Sequence, residues 1–93
     1  MAEITVSVTE REDAYHCDVT VRETAGETHH AVTLKKADFE QLAGGDASPK
    51  ELVAESFRFL LEREPKESIL RSFDLTVISR YFPEYEREIK QRL

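Results

Sequence analysis

The sequence has no tryptophan and one cysteine, Cys17, with only three glycines and three prolines among 93 residues. A single cysteine excludes a disulfide within the chain and is typical of a protein in a reducing compartment. No apolar run approaches the roughly 20 residues that cross a bilayer. Residues 1–20 alternate polar and apolar and carry acidic residues early, unlike a secretory signal peptide. The sequence therefore predicts a cytoplasmic protein without a membrane segment.

Hydrophobic residues make up 40% of the chain and charged residues 34%. This balance is typical of a folded globular domain and not of a disordered chain. A chain of this length has room for one hydrophobic core. It shows no internal repeat, low-complexity segment or linker, so we expect one α+β domain over residues 1–93.

The net charge of −6 is unevenly distributed along the chain. Residues 1–48 carry ten acidic and four basic side chains, whereas residues 49–93 carry nine of each. Affinity for nucleic acid depends on neutralising backbone phosphates, which an acidic protein does poorly. The charge balance therefore makes nucleic acid an unfavoured partner.

Three N-terminal segments alternate apolar and polar residues with a period of two. They cover residues 4–9, 15–22 and 29–34, and short polar turns separate them, the second containing Gly26. This period is typical of half-buried strands, and short turns favour antiparallel neighbours. The pattern predicts a three-stranded antiparallel meander with one apolar face.

A well-capped central helix follows the strands. Ser48 is a good N-cap, Pro49 suits the first turn, and Glu51 stands three residues after the cap, which together form a capping box. Apolar residues then recur at helical spacing as far as Arg63. We expect this helix, residues 49–63, to cover the apolar face of the sheet.

Shorter helical segments lie on either side of the central helix. Residues 38–42 predict a short helix before it, Asp74 is a candidate N-cap for another, and Pro83 can open the last one. Residues 66–73 fit either a loose helical turn or an irregular connector that points Ile69, Leu70 and Phe73 inward. The prediction is therefore a meander followed by three or four helices on one face.

The C-terminal half resembles a family of short uncharacterised prokaryotic proteins. The residues that carry the resemblance are Glu-Arg-Glu-Pro-Lys-Glu-Ser-Ile-Leu-Arg-Ser-Phe-Asp-Leu at 62–75 and Val-Ile-Ser-Arg-Tyr-Phe-Pro-Glu-Tyr-Glu at 77–86. The similarity extends from about His29 to the C-terminus and implies the same order of sheet and then helices. It implies no catalytic residue, substrate or cofactor.

Four side chains of metal-ligand type, His16, Cys17, His29 and His30, occur within fifteen residues. If the second hairpin pivots near Gly26, His30 and Cys17 share a face about 13 Å apart, and His16 and His29 share the other about 20 Å apart. Zinc ligands must all reach one ion at about 2.0–2.3 Å. We therefore expect no metal and no other cofactor.

Candidate nucleophiles lack the partners that catalysis needs. The alternation turns Cys17 toward the core, which raises the pKa of a thiol, and its neighbour His16 points to the opposite face. The serines stand in no nucleophile-elbow context, and there is no phosphate-binding glycine loop. We expect a non-catalytic protein. The enzymatic alternative is a small-ligand-binding or hydrolytic pocket near His30, with Glu or Arg partners.

The central helix has a wider apolar arc than contact with one layer requires. Leu52 and Phe59 extend it to roughly 200°, against a stripe of roughly 100° on an ordinary surface helix. One interpretation is a protein-binding patch of Leu52, Phe59, Arg63 and Tyr81. The other, which we favour, is that the C-terminal helices cover this flank within the chain.

A second candidate site is a group of basic residues around Pro65. Lys66, Arg71 and Arg80 are candidates to bind an anion or an acidic peptide, and nucleic-acid binding would also depend on them. The predicted outer face of the sheet carries no aromatic residue on which a base could stack. We therefore expect an interaction or regulatory module that binds a protein partner or, through an edge strand, a second copy of itself.

Overall fold

In the computed structural model, which describes residues 2–93, one sheet is covered by helices, and the predicted α+β class is confirmed. The buried apolar side chains form one cluster between the two layers. The elements are β1 (Glu3–Glu10), β2 (Ala14–Glu23), β3 (Gly26–Lys35), α1 (Lys36–Ala43), α2 (Pro49–Leu61), a 3₁₀ turn (Lys66–Ser68), β4 (Ser72–Asp74), α3 (Val77–Tyr81) and α4 (Tyr85–Arg92).

The sheet has four strands in the order β1-β2-β3-β4. The first three form the predicted antiparallel meander. The prediction missed β4, which pairs parallel to β3 and makes the sheet mixed. The Ala31 N–H donates to the Arg71 carbonyl at 2.7 Å, and the Leu75 N–H donates to the Thr33 carbonyl at 2.9 Å. A strand of three residues is too short to show a periodic pattern in the sequence. What places β4 in the sheet is its long-range hydrogen bonding to β3.

The register of the second hairpin differs from the predicted one by two residues. Glu23 pairs with Gly26, so the loop is only Thr24-Ala25, and Gly26, with φ of 138°, is the first residue of β3 rather than the pivot. Cys17 therefore pairs with Val32, and not with Leu34 as predicted. A shift of two residues leaves every side chain on its predicted face, because the side chains alternate with a period of two.

The capping box at the start of α2 is present. The Glu51 N–H donates to Ser48 Oγ at 3.1 Å, and the Ser48 N–H donates to Glu51 Oε1 at 3.2 Å. The apolar side of α2 then packs on the sheet, where Val53 and Phe57 are fully buried. The helix ends at Leu61, two residues before the predicted end.

The C-terminal segment folds back over the other side of α2. Asp74 is not the N-cap of α3, because the helix begins at Val77 and its N-cap is Thr76. The Asp74 carboxylate accepts hydrogen bonds from the N–H and the hydroxyl of Thr76, at 3.0 and 2.7 Å. These bonds form a local turn before α3 begins at Val77. Tyr85, in the first turn of α4, is fully buried. Residues 2–93 contain four α-helices, which agrees with the predicted three or four.

Candidate functional site

Two residues of the predicted interaction patch lie inside the protein. Leu52 and Phe59 are 0% exposed, so the prediction of an exposed patch does not hold for them. The Phe59 ring centroid lies 5.8 Å from that of Phe82 and 5.3 Å from that of Tyr85. The C-terminal helices therefore cover this flank of α2, as the favoured interpretation predicted.

Arg63, the third patch residue, makes its contacts within the chain. Its guanidinium carbon lies 3.6 Å from the centroid of the Phe59 ring. Nε donates to Glu84 at 3.1 Å, and Nη2 donates to Glu88 at 2.9 Å. Nη1 donates to the Phe59 carbonyl at 3.1 Å. Arg63 thus joins the end of α2 to α4 instead of offering a free charge to a partner.

The three residues of the predicted anion patch do not form one cluster of free cations in the part of the chain that the structure describes. Lys66 is buried, and its Nζ lies 2.9 Å from Glu23 and 2.7 Å from Glu67. Hydrogen bonds to Glu67 and Glu23 raise the pKa of Lys66. The exposed Arg71 lines the same pocket as Lys66, whereas Arg80 does not. The charge of Lys66 is already balanced, which does not favour binding of an anion.

His30, the centre of the enzymatic alternative, is 3% exposed. Its Nδ1 donates to the Leu70 carbonyl at 2.8 Å, and its Nε2 lies 2.8 Å from Thr28 Oγ1. The ring packs against Phe57 with centroids 5.2 Å apart. Depressions of about 410 and 220 Å³ border His30. Both ring nitrogens are already engaged, so the imidazole holds β3 to the segment before β4.

Cys17 is 2% exposed, and burial together with Asp18 raises the pKa of its thiol to about 11. The observed register places Cys17 and His30 two residues apart along their strands, or about 7 Å, closer than the predicted 13 Å. Among residues 2–93 there is still no group of three or more His, Cys, Asp or Glu side chains that could hold a metal ion. The protonated, buried thiol packs as a core residue.

Tyr81, the fourth patch residue, lies at a different surface feature, a groove of about 280 Å³ beside the segment that connects α2 to α3. We call it the connector groove. Leu70 and Tyr81 line it and are 48% and 67% exposed. Its walls are otherwise mainly apolar, and they include Leu60, Ile69, Phe73, Val77, Ile78 and Phe82.

One carboxylate, Glu64, lies among these apolar residues. It is half-buried, and burial raises the pKa of its carboxyl group. The neighbouring cations are engaged elsewhere, Arg63 with α4 and Lys66 with Glu23 and Glu67. None of the ion pairs between residues 2 and 93 includes Glu64. The groove thus combines an apolar wall with one carboxylate that has no counter-ion within the described chain.

Three residues are notable at the connector groove, the exposed Leu70 and Tyr81 and, unpaired within the described residues, Glu64. Of these, only Tyr81 was selected from the sequence as a candidate interaction residue. Leu70 was expected to point inward together with Ile69, yet Ile69 is buried and Leu70 is exposed. Both residues lie between the 3₁₀ turn and β4, and the backbone of Ile69 is extended. Residues 70–72 are all exposed, so no alternation of period two within this segment could have identified Leu70 as the exposed residue.

Comparison with known proteins gives no relative from which a function could be taken. No protein-family model matches the chain, and no curated protein or solved structure matches it significantly. The resemblance to a family of short prokaryotic proteins therefore stays a prediction. None of the helices within residues 2–93 is both long and apolar enough to cross a membrane.

Proposed function

We propose that the protein is a small, non-catalytic interaction module that binds a segment of a partner protein in the connector groove. The observation that carries the proposal is that two exposed large hydrophobic residues, Leu70 and Tyr81, line the same apolar groove. Leu93 is the other exposed large hydrophobic residue in the described chain, and it lies elsewhere. Aromatic side chains beside an apolar depression are typical anchors of protein interfaces.

The size of the groove favours a short segment. Its volume of about 280 Å³ is near the lower end of the roughly 300–1,000 Å³ typical of small-molecule sites. Leu70 and Tyr81 are exposed and offer further apolar surface at the groove. A large aliphatic or aromatic side chain in the groove, with its neighbours against Tyr81, fits this shape.

Glu64 adds a charge requirement to the recognition. A carboxylate that is partly removed from water and lacks a counter-ion is stabilised by a cation brought close to it. The partner segment should therefore carry a Lys or Arg next to its apolar anchor. An acidic segment is disfavoured by Glu64 and by the net charge of −6.

The other functions considered have weaker support. An enzyme centred on His30 would need a free ring nitrogen, and both nitrogens of His30 are engaged. Nucleic-acid binding through Lys66, Arg71 and Arg80 would need free charges, and Lys66 is paired with two carboxylates. We also propose a cytoplasmic location, which rests on the single buried Cys17.

Selection from a phage-displayed library of random peptides tests the proposed function. We expect enriched peptides that combine a large apolar residue with a nearby Lys or Arg. Leu70→Ser and Tyr81→Ala should each weaken binding by about tenfold, and Glu64→Gln by about fivefold, but only for peptides that keep the basic residue.

Leu93→Ala is the matched control, because it also removes an exposed large side chain, at another place on the surface. It should leave peptide binding unchanged. The proposal is wrong if no common motif is selected, or if Leu93→Ala reduces binding as much as Tyr81→Ala does.

A further inference from the structure

The two edges of the sheet are protected to different degrees. At one edge β4 is only three residues long, which gives little backbone for another strand to pair with. At the other edge β1 runs for eight residues, Glu3–Glu10, and pairs on one side only, with β2. Its register against β2 is continuous from Glu3 to Glu10, so no bulge interrupts it.

Strand β1 also lacks the residues that normally prevent edge pairing. It contains no proline and no lysine, and its charged residues, Glu3 and Glu10, stand only at its ends. The six residues between them are Ile-Thr-Val-Ser-Val-Thr, five of which are β-branched. A long, regular and uncharged edge of this kind favours pairing with another strand.

The sequence of β1 is self-complementary in one antiparallel register. If Val6 of each copy lies opposite Val6 of the other, Ile4 lies opposite Val8, and Thr5 lies opposite Ser7. Residues opposite each other in an antiparallel pair share a face, so apolar residues meet on the helix side and hydroxyls meet on the outer side. Glu3 then lies opposite Thr9, and no two charges of like sign are opposed.

Neighbouring registers lack this match. A shift of one residue in either direction turns the apolar face of one strand against the polar face of the other, and in one direction it also places Glu3 opposite Glu10. A shift of two residues one way places Glu10 opposite Ile4, and a shift the other way pairs fewer residues of the strand. The chemistry of β1 therefore selects the pairing centred on Val6.

The helix layer supplies additional surface beside the same edge. A groove of about 300 Å³ lies between β1 and α2, and Ile4, Ala54 and the 39%-exposed Leu93 contribute apolar surface to it. Its charged lining residues are of both signs, with Lys50, Arg58 and Arg92 against Glu51 and Glu55. A second copy paired at β1 would place its own helix layer next to this groove, where residues of both signs are available for ion pairs between the copies.

We propose that two copies of the chain pair through β1, antiparallel and with the two-fold axis at Val6, into one continuous eight-stranded sheet. The dimer interface is separate from the connector groove, which contains Phe73 of β4 at the opposite edge. A dimer would therefore carry one connector groove near each end of the sheet. Two grooves on one particle would raise the avidity for a partner with two binding segments.

Two matched double variants test the pairing and its register. Thr5→Lys with Ser7→Lys opposes two lysines at two places across the axis, whereas Thr5→Glu with Ser7→Lys opposes a glutamate and a lysine at both. Ser7→Lys is common to both variants and faces Asp18 within the chain, which favours folding. Circular dichroism and thermal unfolding establish that both variants fold.

Sedimentation velocity over a range of concentrations gives the result. We expect the wild type and the Thr5→Glu/Ser7→Lys variant to approach twice the chain mass of 10.7 kDa, and the Thr5→Lys/Ser7→Lys variant to dissociate with a Kd about 30-fold higher. The proposal is overturned if the wild type stays at 10.7 kDa up to about millimolar concentration. It is equally overturned if the two folded variants associate alike.

Discussion

The guanidinium of Arg63 lies over the ring of Phe59, with Cζ 3.6 Å from the ring centroid. Phe59 lies in the last turn of α2, and Arg63 follows Phe59 by four positions, just beyond the end of the helix. The same guanidinium donates hydrogen bonds to Glu84 and Glu88, so one side chain connects α2 with α4. The rings that cover Phe59 are those of Phe82, which precedes α4, and Tyr85, which lies within it. By connecting α2 to α4, Arg63 therefore helps to keep Phe59 out of solvent.

Replacement of Arg63 should loosen this connection. We expect Arg63→Met to lower the free energy of unfolding by about 1–2 kcal/mol, because the cation–π contact and the hydrogen bond to the Phe59 carbonyl are lost. Arg58→Met removes an exposed arginine from the same helix and should change stability by less than about 0.5 kcal/mol. Urea denaturation measures both values. Equal effects of the two substitutions would show that Arg63 has no special role in packing.

His30 should be required to hold β4 in the sheet. His30→Ala removes a buried ring and its hydrogen bond to the Leu70 carbonyl, so we expect a loss of about 2–3 kcal/mol. Hydrogen exchange should also become faster at the N–H groups of Ala31 and Leu75, which connect β3 with β4.

His29→Ala is the control for this substitution, because the His29 side chain is 68% exposed. It should leave both the stability and the exchange at Ala31 nearly unchanged. If His30→Ala lowers stability but hydrogen exchange at the N–H groups of Ala31 and Leu75 is not accelerated more than elsewhere, the imidazole does not hold β4 against β3.

Tyr85 and Ser56 form a buried hydrogen-bonded pair. The Ser56 hydroxyl donates to the Leu52 carbonyl at 2.7 Å, so the Tyr85 hydroxyl donates to Ser56 Oγ, 2.6 Å away. Tyr85→Phe should therefore cost about 1 kcal/mol at neutral pH, by urea denaturation. Tyr81→Phe removes an exposed hydroxyl and should cost nothing measurable. A stability of Tyr85→Phe equal to that of the wild type would show that this hydrogen bond does not stabilise the folded protein.

Burial of Cys17 predicts a loss of stability at alkaline pH. The pKa of its thiol rises from an ordinary 9.0 to about 11 in the folded protein, so folding favours the neutral thiol. This contribution is complete below pH 9.0 and is lost as the pH rises toward about 11. Burial also raises the pKa of Tyr85, which has the same sign.

Urea denaturation at about pH 8 and pH 10.5 measures this effect. Cys17→Ala should lose less stability than the wild type between these two values, because the variant has no thiol to ionise. An equal fall in both proteins would indicate that other groups cause the alkaline instability.

The elements with a long regular pattern could be predicted from sequence, and those created by tertiary contacts could not. The alternation of β1 to β3 and the capping box at Ser48 are local signals, and both led to the correct elements. Strand β4 has three residues and exists because Arg71 and Leu75 bond to β3. The hairpin register was missed by two residues because the alternation fixes faces and not loop length.

The candidate site was predictable only in part, because the exposure of a side chain depends on which helices pack against it. Helical periodicity correctly identified the wide apolar arc of α2, but it could not decide whether a partner or the C-terminal helices cover Phe59. Tyr81 was selected for its position near that arc, and it instead lines the connector groove together with Leu70. Glu64 gave no sequence signal, since a glutamate among charged neighbours is ordinarily solvated.

The most direct measurement is a double-mutant cycle by titration calorimetry between Glu64 and the basic residue of a library-selected peptide. The wild type should lose about fivefold in affinity when that Lys or Arg becomes an uncharged residue of similar length, and Glu64→Gln should lose almost nothing further from the same change. Equal losses in the two proteins would contradict recognition of an apolar and basic segment at the connector groove.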